Sequence, residues 1–245
     1  YIQVDASGEV ADLKDYINAM IRNLRETTER NTEQDWLKTN VAKFSRMMQG
    51  QRDLLTVAQT LLSELAPLVN AQQGVMYVVE WDDGEAMLKP LAGYANRHVP
   101  ETPGAFRVGE GLVGQCALDR QRILLKDVPG QSIVIGSGLL AARPRSVIVL
   151  PVLFEGQVKA VIELASLTEF TPSHVAFLEQ LTGSIGIVLN TIEATMRTEG
   201  LLRQSQELAA ELQAQQRELQ QTNEELEERS QQLEEQNQRI EIKNQ

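Results

Sequence analysis

An α+β fold is what this sequence predicts: one antiparallel sheet with flanking helices, plus long N- and C-terminal coiled-coil helices. Three observations predict it. All eight prolines lie between Pro67 and Pro172, with most of the sixteen glycines in the same region, so chain breakers are confined to the middle. Beyond Gly200 there is no glycine, proline or aromatic residue, and such a stretch is free to run as a long helix. Between the flanks, apolar runs of strand length alternate with turn residues.

The N-terminal flank reads as amphipathic helix in two registers. Val10, Leu13, Ile17, Met20, Leu24 and Thr27 alternate spacings of three and four. Leu37, Val41, Phe44, Met48, Gln51, Leu55, Ala58, Leu62 and Leu65 do the same without interruption, but shifted by three residues relative to two heptads. The shift between Thr27 and Leu37 marks either a local change of coiled-coil winding or a junction of two helices that pack on different neighbours.

The middle begins where the helix over residues 51–69 ends near Pro67. Residues 74–81 then read as a strand buried on both faces, and 86–94 as its hairpin partner across Asp82-Asp83-Gly84-Glu85. A turn-rich loop follows at 96–104. A short strand (105–108), a short helix (112–118) and another short strand (123–125) come next. Residues 146–154 and 157–166 are the strongest strands, joined at Glu155-Gly156. Thr171-Pro172 starts the closing helix, with threonine as cap and proline in the first turn.

The C-terminal flank is the clearest periodic signal. Leu212, Leu219, Leu226, Leu233 and Ile240 recur every seven residues, leaving Ala209, Gln216, Asn223, Ser230 and Asn237 at the alternate core position. A strict seven-residue repeat favours a left-handed coiled coil, and polar layers make it a weak one. At ~1.5 Å per residue, residues 201–245 would reach about 65 Å. The alternative is a lone solvated helix rich in Gln and Glu.

Composition narrows the function. The 245 residues, 42% apolar and 23% charged, suffice for one domain with extensions or two small ones. A net charge of −11 argues against a nucleic-acid surface, which needs clustered cations. With Cys116 as the one cysteine, no internal disulfide or Cys-rich zinc site forms, which points to a reducing, cytoplasmic setting. No stretch approaches the ~20 apolar residues of a membrane span, so no membrane contact is expected. The chain opens at Tyr1 without an initiator Met or signal peptide, which reads as a piece of something longer, whose parent could be membrane-anchored upstream.

Four runs of sequence, in order, carry a resemblance. They are Phe106-Arg107-Val108-Gly109-Glu110-Gly111-Leu112-Val113-Gly114-Gln115 with Ile123-Leu124-Leu125-Lys126-Asp127-Val128-Pro129; Pro144-Arg145-Ser146-Val147-Ile148-Val149-Leu150-Pro151-Val152; Gly156 to Ser166; and Phe170-Thr171-Pro172-Ser173-His174-Val175-Ala176-Phe177-Leu178. On these, residues 51–196 resemble a GAF domain, the small-molecule sensing module of signalling proteins. Residues 8–24 resemble the second helix of a HAMP domain, so residues 1–30 are read as the end of a HAMP-like domain. Trp36-Leu37-Lys38-Thr39-Asn40, Phe44, Leu54 and Ser63 to Val69 resemble the connector between HAMP and GAF in multi-HAMP hybrid histidine kinases. That makes 31–50 a helical connector and 197–245 a coiled-coil signalling helix leading toward a kinase core. The resemblance implies a transmitter with no catalytic or metal-ligating set of its own.

Motifs with a catalytic look fail on context. Gly109-Glu110-Gly111-Leu112-Val113-Gly114 is a literal G-x-G-x-x-G, but no long strand precedes it and no acid stands about 20 residues on in a parallel repeat. Its protein-kinase reading lacks the later H-R-D and D-F-G. The glycines then serve the backbone, allowing a sharp strand-to-helix turn. Cys116 has no adjacent histidine, unlike bilin-binding GAF domains, and is either a buried structural thiol or a reactive one. The Asn-Lys-x-Asp-Glu-type signature of cyclic-nucleotide GAF domains is absent. His174 is expected on the surface; His98 is open to a haem or metal role. Arg143 and Arg145 either clamp an anion or sit solvated at a strand entrance.

The candidate ligand-binding residues are Tyr94, His98, Cys116, Ser137, Arg143 and Arg145, in a pocket between the sheet and residues 94–145. No cofactor is required by the sequence, and a small-molecule ligand stays unspecified. The candidate interface of a parallel homodimer is Leu37, Val41, Phe44, Met48, Leu55, Leu62, Leu212, Leu219, Leu226 and Leu233. The expected function is a sensory and signal-relay segment of a two-component sensor histidine kinase, with the downstream kinase domains as partner in the parent chain. The alternatives are a GAF receptor for a soluble small molecule in another signalling protein, and a small enzyme, for which no nucleophile–base pair is present.

Overall fold

Nothing between Gly8 and Gly50 breaks a helix, and helix α1 (Glu9–Met48) occupies that whole interval. The computed structural model describes residues 9–82, 84–95, 104–127, 134–136 and 141–243. α1 is continuous through residues 27–37, so the change of apolar register there is not a junction of two helices. Gly50, at φ +78°, takes the left-handed conformation that glycine adopts without strain and turns the chain. Asp53 then caps α2 (Leu54–Leu68), its carboxylate accepting from the Thr56 N–H at 2.8 Å. The apolar row from Leu37 to Leu65 is therefore split between two helices rather than forming one seam.

The strands are β1 (Gln73–Asp82), β2 (Glu85–Tyr94), β3 (Phe106–Arg107), β4 (Ile123–Lys126), β5 (Ile135–Gly136), β6 (Ala141–Ala142), β7 (Ser146–Phe154) and β8 (Gln157–Ser166). Helix α3 (Gly111–Asp119) sits between β3 and β4, and α4 (Pro172–Lys243) closes the chain. Six strands form one antiparallel sheet in the order β3-β2-β1-β8-β7-β4. The small hairpin β5–β6 was not expected: two-residue strands are too short to show alternation. At the β7–β8 turn Glu155 and Gly156 both have positive φ, matching the right-handed twist of a two-residue hairpin. The α4 N-terminus follows expectation, with the His174 N–H donating to Thr171 Oγ1 at 3.1 Å.

Both sheet faces are covered, as the near-continuous apolar strands require. One face buries Met76, Val78, Ile148, Leu150, Ile162 and Leu164 against α1, α2 and α4. The other buries Tyr77, Leu88, Val147, Val149 and Val161 against α3 and Ile135. The first core claims several residues assigned to a dimer seam. Phe44, Met48 and Leu62 are at most 1% exposed inside this chain, Phe44 meeting Phe177 edge-on at 5.6 Å, while Leu37 and Val41 pack against the same cluster. Their spacing marks an apolar face correctly, but α4 and the sheet cover it. Leu55 is exposed.

Contacts divide the chain into two units, Tyr1–Ile192 and Glu193–Gln245. In the second, Leu212, Leu219, Leu226 and Leu233 are 58–66% exposed along α4. α4 also contains an 18-residue window of mean hydropathy 1.4, long and apolar enough to cross a membrane, contrary to expectation. Half of that window is buried, and Phe177, Leu178, Leu181, Ile185, Leu189 and Ile192 supply the core.

Candidate functional site

The face of the sheet under α3 is floored by β-branched side chains: Val75 and Val79 from β1, Val147 and Val149 from β7, Val161 from β8. α3 lays Val113, Cys116 and Ala117 on it. The turn into α3 is made by the glycines of the G-x-G-x-x-G, and the backbone role expected of them is what the structure shows. Gly109 and Gly111 have φ of +90° and +62°, and the Gly109 N–H donates to the Gly114 carbonyl at 2.8 Å. A Cβ on Gly114 would collide with the Arg107 carbonyl oxygen, so the strand and helix approach too closely for any other residue.

One carboxylate interrupts this apolar layer. Glu163 stands at the middle of β8, itself a central strand, paired in register with Val75 on one side and Val149 on the other. The Tyr77 hydroxyl donates to its Oε2 at 3.4 Å, and the Tyr77 ring meets Phe106 edge-on at 5.6 Å. Burial raises the Glu163 carboxyl above the usual carboxylate range, the Tyr77 bond only partly opposing it. Burial, followed by the charge of Glu163, raises the Tyr77 phenol as well, so that hydroxyl stays protonated and donates. Sequence reading missed Glu163 as a site residue. Its signal was a single charge flanked on both sides by apolar residues, Val161-Ile162-Glu163-Leu164-Ala165, in a strand that alternation alone would leave wholly buried.

The sequence-predicted residues fall in different places. Cys116 is fully buried against this face, its thiol pushed up to about 12 first by burial and then by Asp119, so it is a structural thiol. Tyr94, at the end of β2, packs on the opposite core with Leu91 and does not face α3; the register shift at Met76/Tyr77 changes which β2 residues share a face with which of β1. Arg145 is committed on the surface, with Nη2 3.0 Å from Glu169 and Nε 3.8 Å from Asp127, rather than held ready for an anion. Arg143 is exposed. His98 and Ser137 lie outside the described residues. Among the described residues no group of His, Cys, Asp and Glu gathers to hold a metal.

The helical side holds a concavity of about 460 Å³ between α1 and the start of α4. It is lined by Thr28, Glu29, Thr32, Glu33, Trp36 and His174 among others. His174 is not the surface residue expected. Its ring lies 5.9 Å from Trp36, its Nδ1 is buried without a hydrogen-bond partner, and burial lowers its pKa below the ordinary 6.5.

Comparison with known proteins comes down to one fold. A family model described as GAF domain matches residues 51–190. The GAF domain of a phosphoenolpyruvate-protein phosphotransferase from Coxiella burnetii is similar with a TM-score of 0.53 at 17% identity, over 67% of this chain and 96% of that one. Free methionine-R-sulfoxide reductase from Neisseria meningitidis, in complex with its substrate, is similar with a TM-score of 0.51 at 16% identity, over 63% of this chain and 89% of that one. No curated protein matches the chain. At such identities the structural likeness speaks to the fold alone.

Proposed function

This chain belongs to the GAF domain family, a signalling and ligand-binding fold, and from that premise we propose that it is the sensory and signal-relay segment of a two-component sensor histidine kinase. In this reading conformational change enters through the HAMP-like residues 1–30, passes the GAF domain and leaves along α4 toward a kinase core in the parent chain. The segment works as a parallel homodimer in the cytoplasm and performs no phosphotransfer itself.

The observation that carries the reading is the row of bare leucines on α4. Leu212, Leu219, Leu226 and Leu233 repeat every seven residues and are all exposed in the single chain. A regular apolar stripe of that length left in water argues for a partner helix. Leu13, Met20 and Leu24 on α1 are exposed in the same way. Fully buried Cys116 supplies no thiolate, which favours a binding module over a thiol enzyme.

Light scattering on the 245-residue chain at tens of micromolar tests the dimer, the expected mass being twice 27.3 kDa; a monomer alone overturns it. Incubation with labelled ATP is expected to leave the chain unlabelled. Deleting the GAF segment from the parent protein is expected to uncouple its autophosphorylation from stimulus, and unchanged responsiveness would refute the relay.

A further inference from the structure

The pair Glu163–Tyr77 has no structural task that an apolar pair would not do better. Glu163 occupies the centre of a central strand, with valine on both neighbouring strands in register. A carboxylate has room for about four hydrogen bonds, and here one long contact of 3.4 Å from Tyr77 is the bond the structure gives it. Among the described residues its charge meets no cation. The ion pairs among the described residues, such as Lys43–Glu64, Arg122–Glu179 and Arg145–Glu169, stand at the surface. A charge partly withdrawn from water without a counter-charge is costly, and such a group in a native fold calls for the partner that compensates it.

We propose that Glu163 and Tyr77 form the recognition end of a small-molecule site on the α3 side of the sheet, and that the ligand carries a protonated amine. The inference rests on the reading of this domain as a ligand-binding module and adds the chemical class. The amine places its charge against Glu163 Oε1, the oxygen that Tyr77 does not hold. The Tyr77 hydroxyl holds the carboxylate, and the edge-on Tyr77–Phe106 pair supplies aromatic surface beside the cation. The half-buried side chains on this face, Val75, Val79 and Phe106, take the apolar remainder. Glu163 is only partly shielded from solvent, so a ligand can reach it. Anionic ligands are disfavoured by the same carboxylate and by a net charge of −11.

The test uses three fragments of one shape: benzylammonium, benzyl alcohol and benzoate. Binding to the 245-residue chain is followed by thermal shift and by carbon-detected NMR of the glutamate carboxyls. Benzylammonium is expected to raise the Tm of the wild type and to move the Glu163 titration back toward the ordinary carboxylate range. In Glu163→Gln its affinity falls at least tenfold, while the variant stays folded because an uncharged amide replaces a desolvated charge. In Tyr77→Phe the loss is smaller and the Glu163 titration moves further upward. Binding of benzyl alcohol or benzoate equally in wild type and Glu163→Gln overturns the amine class but leaves a ligand-binding domain standing. Binding of none of the three, with an unmoved Glu163 titration, overturns the inference. Neither result touches the dimer or the relay, which are read from mass and kinase output.

Discussion

Replacing Gly186 with alanine should loosen the contact between α4 and the sheet, whereas the same change three residues earlier should tighten the fold. Gly186 lies where α4 crosses the end of β7. A Cβ there would run into the Leu153 carbonyl oxygen and come within 2.8 Å of the carbonyl carbon, and both atoms belong to backbone that cannot swing aside. The helix must lift, and the side chains it buries on that face, Leu181, Ile185 and Leu189, lift with it. Overpacking of this kind costs about 1–3 kcal/mol, against which the better helix propensity of alanine returns roughly 1 kcal/mol. Gly183 meets nothing within 4 Å, so Gly183→Ala collects the propensity gain alone. At roughly 2–4 °C per kcal/mol for a chain of this size, Gly186→Ala should lower the Tm by a few degrees and Gly183→Ala should raise it by a few. Thermal melts followed by circular dichroism and by the fluorescence of Trp36 and Trp81 measure both. Equal shifts of the same sign would refute the close approach of helix and sheet.

Leu62→Asp should unfold the globular unit, since it sets a charge in a fully buried site at a cost of several kcal/mol. Leu219→Asp should leave the melting of that unit unchanged and weaken self-association; sedimentation beside circular dichroism separates the two effects. The half-buried His174, whose Nδ1 has no hydrogen-bond partner, predicts a pH dependence. Its folded pKa lies below 6.5, so as pH falls through 6.5 the unfolded chain takes up the proton first and stability drops. Glu29 and Glu33 are the other titratable groups on the wall of the same concavity, and neither partners Nδ1. His174→Gln should flatten the pH 5–7 limb of a Tm profile, and an unchanged limb would assign it to other groups. Replacing Asn223, Ser230 and Asn237 together by Ile should strengthen the α4 seam and hold the parent kinase in one output state. Normal responsiveness in a demonstrably stabilised coil would make the coil a passive spacer.

What was legible in the sequence was whatever local chemistry decides. β7 and β8 were readable to the residue, because long apolar runs bounded by Glu155-Gly156 admit one hairpin. The α4 cap and the glycine turn were readable for the same reason: Thr171-Pro172 and the 109–114 glycines have narrow backbone uses. The site was not. Tyr94 is expected on the ligand face, but the extra residue at Leu91 in β2 shifts the register against β1, and alternation in the sequence does not reveal it. Arg145 was a plausible anion clamp until Asp127 and Glu169, distant in sequence, were seen beside it. Glu163 is not legible as a site residue in its own strand, because its environment is assembled from Val75, Tyr77 and Val149 on two other strands.

The same apolar spacing ended in two different fates, a core for one row and exposure for the other. Spacing states which face of a helix is apolar; it says nothing about what covers it. Around Phe44, Met48 and Leu62 a sheet face and α4 were available, so the rows closed into a core within the chain. From Leu201 to Leu233 every described side chain of α4 is exposed, so nothing in the chain covers that row, and in the proposed dimer a second copy does. In the sensory reading these two regimes need different stiffness. The core half of α4 is pinned on β7 at Gly186, where no spare atom fits, and so follows the sheet closely. The seam half interleaves its leucines with Gln216, Asn223 and Ser230, layers that hold a coiled coil weakly. A relay shifts populations only between arrangements of similar free energy. On the proposed relay a tightly packed seam would therefore transmit nothing, and polar layers are what a near-balance between two packings would require.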